Sequence, residues 1–530
     1  MTKNKKTIPK PIKRSLITIS EFRSRHYRNS AFNTDMYYIG VANRLYPFLT
    51  KMIGKDDKRF EDSVVRELTL NLVCYLEDLV SQAGVWEAFV SLHLKKYGRE
   101  MPFYDTDDEF YSREFPCIQA VRFIVWMTLN ANSSDTFLNP DNPFMHMMSL
   151  GVLPMLIEAY DNAPDTPSRP ALVPEEKMGV PLFYQIRNMC HWLCTGCYLT
   201  RIHDTELISE LLNPLSEKFF NGDSGKDDYL KEAYISFNAK IGPLALCAQE
   251  WLAEIVNIYH EEEEKEFIPL LRELTSLPYS IYSYKELRKE GAVLLALDGS
   301  EMELSAFTMP DCRMPAELSE NESALMSLVY FGGKWMMNGI AAQGLPRDLY
   351  ANARRNLIKN IDNRKQTFKS LLGFMKKRIG VCAGYEAYLD MFPGIDRKRF
   401  MNVPDDIRTA DNLLYFLNDD SVVTLLPEWG RCVKIRGNKF YDKKESEDDG
   451  ICLILDHDLT TPEMRECLID KNLVPDAALN SMDSVKAGKK LFQDNIRFLN
   501  DYTDRDTILV FSNDMFLGDD QKNNLNETDA

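Results

Sequence analysis

No apolar run in the chain is long enough to cross a membrane; the most apolar stretches, residues 121–129 and 145–156, fall well short of a span. The basic N-terminus, MTKNKKTIPKPIKR, lacks the apolar core of a secretory signal. Eleven cysteines, an odd number without paired spacings, do not describe a disulfide framework and point to reduced thiols and a cytoplasmic address. The G-x₄-G-K-[ST] frame is missing around Gly332-Gly333-Lys334, so that triplet reads as a hairpin turn rather than a phosphate loop. A calcium loop starting at Asp105 needs glycine at its sixth position and glutamate at its twelfth; Phe110 and Pro116 stand there. No internal repeat is evident.

What is present is a long, acidic, mostly helical chain. Its 530 residues carry a net charge of −17 and 45% hydrophobic residues, enough for two or three packed domains. The charge is uneven. Residues 1–28 hold nine Lys/Arg against Glu21 alone, and residues 347–378 hold ten against Asp348 and Asp362. An acidic body disfavours wrapping by nucleic acid, yet each basic segment can still dock an anionic partner.

Helical periodicity dominates residues 17–274, through segments 35–50, 64–79, 86–93, 116–129, 147–160, 181–203, 206–220 and a long helix from 243 to the HEEEEK run at 260–265. The texture changes at Leu277-Pro278. Residues 292–297 and 301–307 flank Asp298-Gly299-Ser300 as one hairpin, and 327–331 with 335–340 form a second, both expected beneath a helix near 317–326. A basic amphipathic helix over 347–378 follows. Short strands are then expected at 421–426, 432–436 and 451–455, with helices after Thr461-Pro462 and over 483–501, and an apolar run at 507–511. The expected architecture is a mostly α protein: a basic disordered arm (1–16), a helical domain (17–278), a small β-hairpin region with a covering helix (279–346), an α+β domain opened by the basic helix (347–515) and an acidic disordered tail (516–530).

Three candidate sites emerge. Cys190, Cys194 and Cys197 share the C-x₃-C-x₂-C spacing that holds a radical-type iron–sulfur cluster. On a helix turning about 100° per residue they fall within roughly 60° of one face, among Leu182, Phe183, Ile186 and Leu193. Burial as small hydrophobes is the expectation, and a metal or iron–sulfur enzyme the alternative. Asp105, Asp107, Asp108 and Glu109 form an acidic knot read as a solvated loop, and Asp456-His457-Asp458 reads as a turn after a strand. The third site is the basic segment, where Arg354, Arg355, Lys359, Arg364, Lys365, Lys369, Lys376, Lys377 and Arg378 accompany an apolar stripe and can face phosphates. No complete catalytic constellation is present and no cofactor is implied. An interaction protein with an unknown protein partner is the leading reading, and association with nucleic acid through 347–378 the alternative.

Tyr37-Tyr38, Ala42-Asn43, Tyr46, Leu76-Glu77-Asp78, Trp86, Phe89, His93, Tyr97-Gly98 and Pro102-Phe103-Tyr104-Asp105 together resemble an uncharacterised bacterial family, domain of unknown function 3843. Residues 441–449 and 467–479 look similar to that family's C-terminal region, so the likeness extends over most of 17–505. It implies a bacterial cytoplasmic protein, and supplies no catalytic or binding residues.

Overall fold

The computed structural model describes residues 16–53, 61–132, 137–165, 179–203, 212–213, 215–219, 224–259, 267–288, 291–305, 321–394, 397, 403–475 and 488–505. The N-terminal arm, the acidic run at 260–265, the apolar run at 507–511 and the C-terminal tail lie outside them.

The helical part begins with α1 (Ile19–Arg23), closed by a capping box in which Thr18 and Glu21 each bind the other's backbone. It continues through α2 (Asp35–Ile53), α3 (Asp62–Ser81), α4 (Val85–Tyr97), α5 (Ile118–Ala131), α6 (Pro143–Asp161), α7 (Gly179–Thr195), α8 (Ser224–Asn238) and α9 (Ala248–Tyr259). Helix α3 sits at the centre. Its sequence is apolar around most of its circumference, and every residue from Leu68 to Asp78 is buried.

After α10 (Ile268–Glu273) the chain enters a closed five-stranded barrel of β3 (Thr275–Arg288), β4 (Gly291–Leu295), β5 (Glu301–Ser305), β6 (Ser323–Phe331) and β7 (Lys334–Leu345), two two-residue strands, β1 (Lys240–Ile241) and β2 (Leu246–Cys247), having paired earlier. Both expected hairpins are there. The order around the barrel is β3-β4-β5-β7-β6, antiparallel throughout except where β5 meets β7 at Leu304 and Trp335. That is the strand order of an OB-type Greek-key barrel, in which a long bulged first strand pairs with both the second and the fourth. The helix expected near 317–326 is not seen over its described part: Ser323–Met326 open β6, in which every residue but Tyr330 is buried between its two neighbouring strands and the rest of the core. Residues 317–320 of that expectation are outside the described set.

The barrel docks on α8. Asn338 Nδ2 donates to the Ala233 carbonyl at 3.0 Å, and Tyr279 stacks on Tyr234 with centroids 5.4 Å apart. Gly339 permits this approach, since a Cβ there lies 2.9 Å from the Ala233 methyl and its φ is +78°. One hydrophobic core therefore runs through helices and barrel together.

The basic segment is helical from Arg347 to Met375, and this long helix, α11, leads to a second, smaller core around a three-stranded antiparallel sheet. Its strands are β8 (Ile379–Cys382), β9 (Leu413–Leu417) and β10 (Val423–Pro427), in the order β10-β9-β8. The expected strand over 421–426 is β10. The expected strand over 451–455 is instead a short helix, Cys452–Leu455, whose apolar run is buried from both sides, a setting in which periodicity alone does not separate strand from helix. Residues 433–436 form no strand after the 3₁₀ turn Trp429–Cys432; Asn438 Nδ2 ties that segment down by donating to the carbonyls of Gly430 and Val433. The last described helix, Gly488–Thr503, returns to the N-terminal core, where Phe498 packs among Phe103, Phe123 and Trp126.

Candidate interaction surface

Helix α11 spans 29 residues, about 43 Å at 1.5 Å per residue. Pro346 stands just before it, and Lys376 ends it in the left-handed region with its N–H bonded to the Leu372 carbonyl. Its first turns are seated on the barrel. Tyr350 and Ala353 are buried, the Tyr350 hydroxyl donates to the Ala296 carbonyl at 2.8 Å, and the Arg354 guanidinium lies over Gly299, where a Cβ falls 2.7 Å from Nη2. Its last turns are seated on the second core through Phe368, Leu371 and Met375.

The middle is covered by almost nothing. From Ile358 to Thr367 every residue is exposed except Asn360, which is half-buried. Ile358 and Ile361 are 49% and 43% exposed, with Leu372 and Phe374 further along. The cations are equally open. Among the described residues no acid lies within ion-pair distance of Arg355, Lys359, Arg364, Lys365, Lys369, Lys376 or Lys377. Arg378 is the exception: it pairs with Asp419 at 2.8 Å and with Glu463, and lies 4.9 Å above the Phe416 ring. Arg378 thus anchors the second core.

The fold adds residues that spacing in the chain does not reveal. Arg436 and Lys471 come from separate later segments and meet Lys377 and Arg378 around a cleft of about 300 Å³ at the C-terminal end of α11. By contrast, the outer face of β4 and β5, where OB-type barrels bind their ligands, carries Glu301 and Glu303, bound to Lys285 and Arg288. That face is internally paired, and strand order alone assigns it no ligand.

The cysteine triplet lies inside the helical core. All three residues have no exposure, and the Cys194 thiol donates to the Ile235 carbonyl at 3.5 Å. Burial pushes the Cys190 thiol well up and that of Cys197 up to about 11. Asp105, Asp107 and Asp108 of the acidic knot line a cleft of about 670 Å³ with Arg99, Gln119, Arg122, His146 and Asn495. Asp105 and Asp108 spend one oxygen each on the N–H groups of Asp107 and Phe110, as Asx turns do, and remain exposed. His457 lies 3.3 Å from its neighbour Asp458 and edge-on to the ring of Phe137.

Residues 21–267 match the profile of a family described as "Protein of unknown function (DUF3843)". That segment of the chain is similar to this family. The matched segment runs from within α1 to just past α9 and stops before the barrel; it includes the cysteine helix and excludes α11 and residues 441–449 and 467–479, where the likeness was expected to continue. No curated protein and no solved structure matches the chain. Among the described residues, no helix is long and apolar enough to cross a membrane, and every cysteine is a free thiol.

Proposed function

We propose that this is a non-enzymatic interaction protein of the bacterial cytoplasm whose binding element is the middle of α11. One observation carries the reading: between two seated ends, the helix presents Ile358 and Ile361 beside cations that no described acid pairs. Residues three apart share a helix face, and half-buried Leu357 extends the same apolar ridge. Isolated surface apolar residues are ordinary; a ridge of them ringed by unpaired cations fits a partner helix whose own apolar stripe is bordered by Asp and Glu. Charge steers the encounter and the isoleucines supply the buried contact. Phosphate recognition uses the same cations but draws nothing from the isoleucines, and this difference separates the protein partner from nucleic acid.

A photo-crosslinking amino acid in place of Ile361, introduced in cells, tests it. The expected result is one dominant protein adduct, lost with Ile358→Asp and with Lys365→Glu and kept with the distant Lys444→Glu. Co-purifying nucleic acid that leaves at high salt, depends on Arg355 and Lys359 and ignores Ile361→Asp overturns the proposal in favour of nucleic acid. No adduct at 361 retires the helix as a binding element.

A further inference from the structure

We propose that His26, Asp35 and Glu77 form a buried site for one divalent transition-metal ion, with zinc the best fit, which ties the N-terminal turn to α2 and α3. His26 follows α1, Asp35 is the first residue of α2 and Glu77 lies near the end of α3, so three separate segments converge. Among the described residues this is the only place where three His, Cys, Asp or Glu donors come together, one ligand atom from each lying within 4.8 Å of the other two. All three are nearly inaccessible, at 2%, 1% and 1% exposure.

The detailed geometry suits a cation. His26 Nε2 and Glu77 Oε2 are 3.4 Å apart, beyond the ~2.7–2.9 Å of a charge-assisted hydrogen bond. It is also the separation, about 3.4 Å, that two ligands have when bonds of ~2.1 Å meet at a tetrahedral angle. His26 Nδ1 lies 2.9 Å from the Ser30 carbonyl oxygen. With Nδ1–H donating there, Nε2 turns a lone pair toward the carboxylates, and a backbone carbonyl behind the ring is the usual support of a metal-bound histidine. Asp35 Oδ2 accepts from Arg23 Nε at 2.6 Å and from the Phe32 N–H at 3.1 Å, whereas Oδ1 has no hydrogen-bond partner despite its burial. An unsatisfied buried carboxylate oxygen is costly, and a metal bond removes that cost. Phe22 and Phe32 pack on the imidazole with centroids at 4.7 and 5.6 Å. One imidazole with two carboxylates suits zinc, manganese or ferrous iron better than calcium or magnesium, which prefer oxygen alone. The burial assigns the ion a structural role. The competing arrangement is a metal-free imidazolium–carboxylate pair.

The test uses the full chain, expressed with zinc in the medium and passed over a sizing column. Elemental analysis is expected to find about one zinc per chain, and a strong chelator to lower Tm by several degrees. Cobalt substituted for zinc should show ligand-field bands without thiolate charge transfer, since the site holds no sulfur. His26→Gln and Glu77→Gln should each lose the metal and the response to chelator. Protein free of stoichiometric metal, with Tm indifferent to chelator and to added zinc, overturns the proposal and leaves the imidazolium pair. A thiolate band moves the ion to the cysteines and overturns it too. If neither variant folds, the metal content and cobalt spectrum of the wild-type chain decide the matter.

Discussion

Asp78 is fully buried, yet its carboxylate accepts three hydrogen bonds: from the N–H groups of Val85 and Trp86 at 3.2 and 2.7 Å, and from the Tyr198 hydroxyl at 2.9 Å. It caps α4 from the end of the preceding helix. Asp78→Ala leaves three buried donors without an acceptor and is expected to cost on the order of 3 kcal/mol in urea unfolding. Burial also raises the Asp78 carboxyl to about 6 from its ordinary 3.8. Between pH 4 and 6 the folded protein therefore holds a proton that the unfolded chain has lost, and this group alone weakens the fold as pH rises through that window. His93 and His203 act in the opposite sense. Burial lowers both to about 4, so below pH 6.5 the unfolded chain takes up protons that the folded protein refuses, and stability is lost as pH falls. Two protons against one leave these groups a net loss of about 1.4 kcal/mol per pH unit on acidification. Asp78→Asn removes the opposing group, so the measured slope of unfolding free energy between pH 4 and 6 should steepen by about one proton. An unchanged slope means that the carboxyl is not raised. The identity of Asp78 was plain in the sequence; its burial and its three donors come from α4 and from Tyr198, 120 residues away.

At the scale of the element, α11 was legible because its period is helical and no proline interrupts it, and because ten cations in 32 residues need water. Its seating was not. Which of its apolar residues are covered depends on the barrel at one end and the small sheet at the other, and the stripe in the sequence looks the same along its whole length. Ile361→Asp should therefore change stability by no more than about 0.5 kcal/mol, since the side chain is already 43% exposed, while Met375→Ala, buried in the second core, should cost about 2–5 kcal/mol. Thermal or urea unfolding of the two variants distinguishes them; a large cost at Ile361 means that something covers the middle of the helix. The two hairpins were legible for a similar local reason, since Asp298-Gly299-Ser300 and Gly332-Gly333 supply the positive φ values that tight turns demand. Residues 451–455 misled because five residues carry too little periodicity to separate a strand from a buried helical turn.

Across the whole molecule, the helix Gly488–Thr503 closes the N-terminal core. Phe498 and Tyr502 are buried, the Tyr502 hydroxyl reaches the Met127 carbonyl at 3.2 Å, and Tyr97 donates to Asp501 at 2.5 Å. Elements almost 400 residues apart thus share one set of aromatic contacts. Phe498→Ala is expected to cost about 3–5 kcal/mol and to destabilise the helical part rather than the small sheet. Hydrogen exchange resolves this: faster exchange in α4 and α5, with β8–β10 unaffected, is the expected outcome. Loss confined to residues 488–505 means that the closing helix contributes little to the core.

The sequence by itself determined the elements whose signal is local: helical period, glycine turns, the break in texture near residue 278 and the basic stretch standing out of an acidic chain. Each follows from side chains within a few positions of one another, and such neighbours meet in any fold. Only the tertiary structure decided which of those elements share a core, that two hairpins and one parallel contact close into a barrel, and that Lys377 meets Arg436 and Lys471. The same holds for His26, Asp35 and Glu77, whose spacings match no ligand motif. Contacts across tens to hundreds of residues leave no periodicity behind, because their partners are chosen by burial and shape after the local elements have formed.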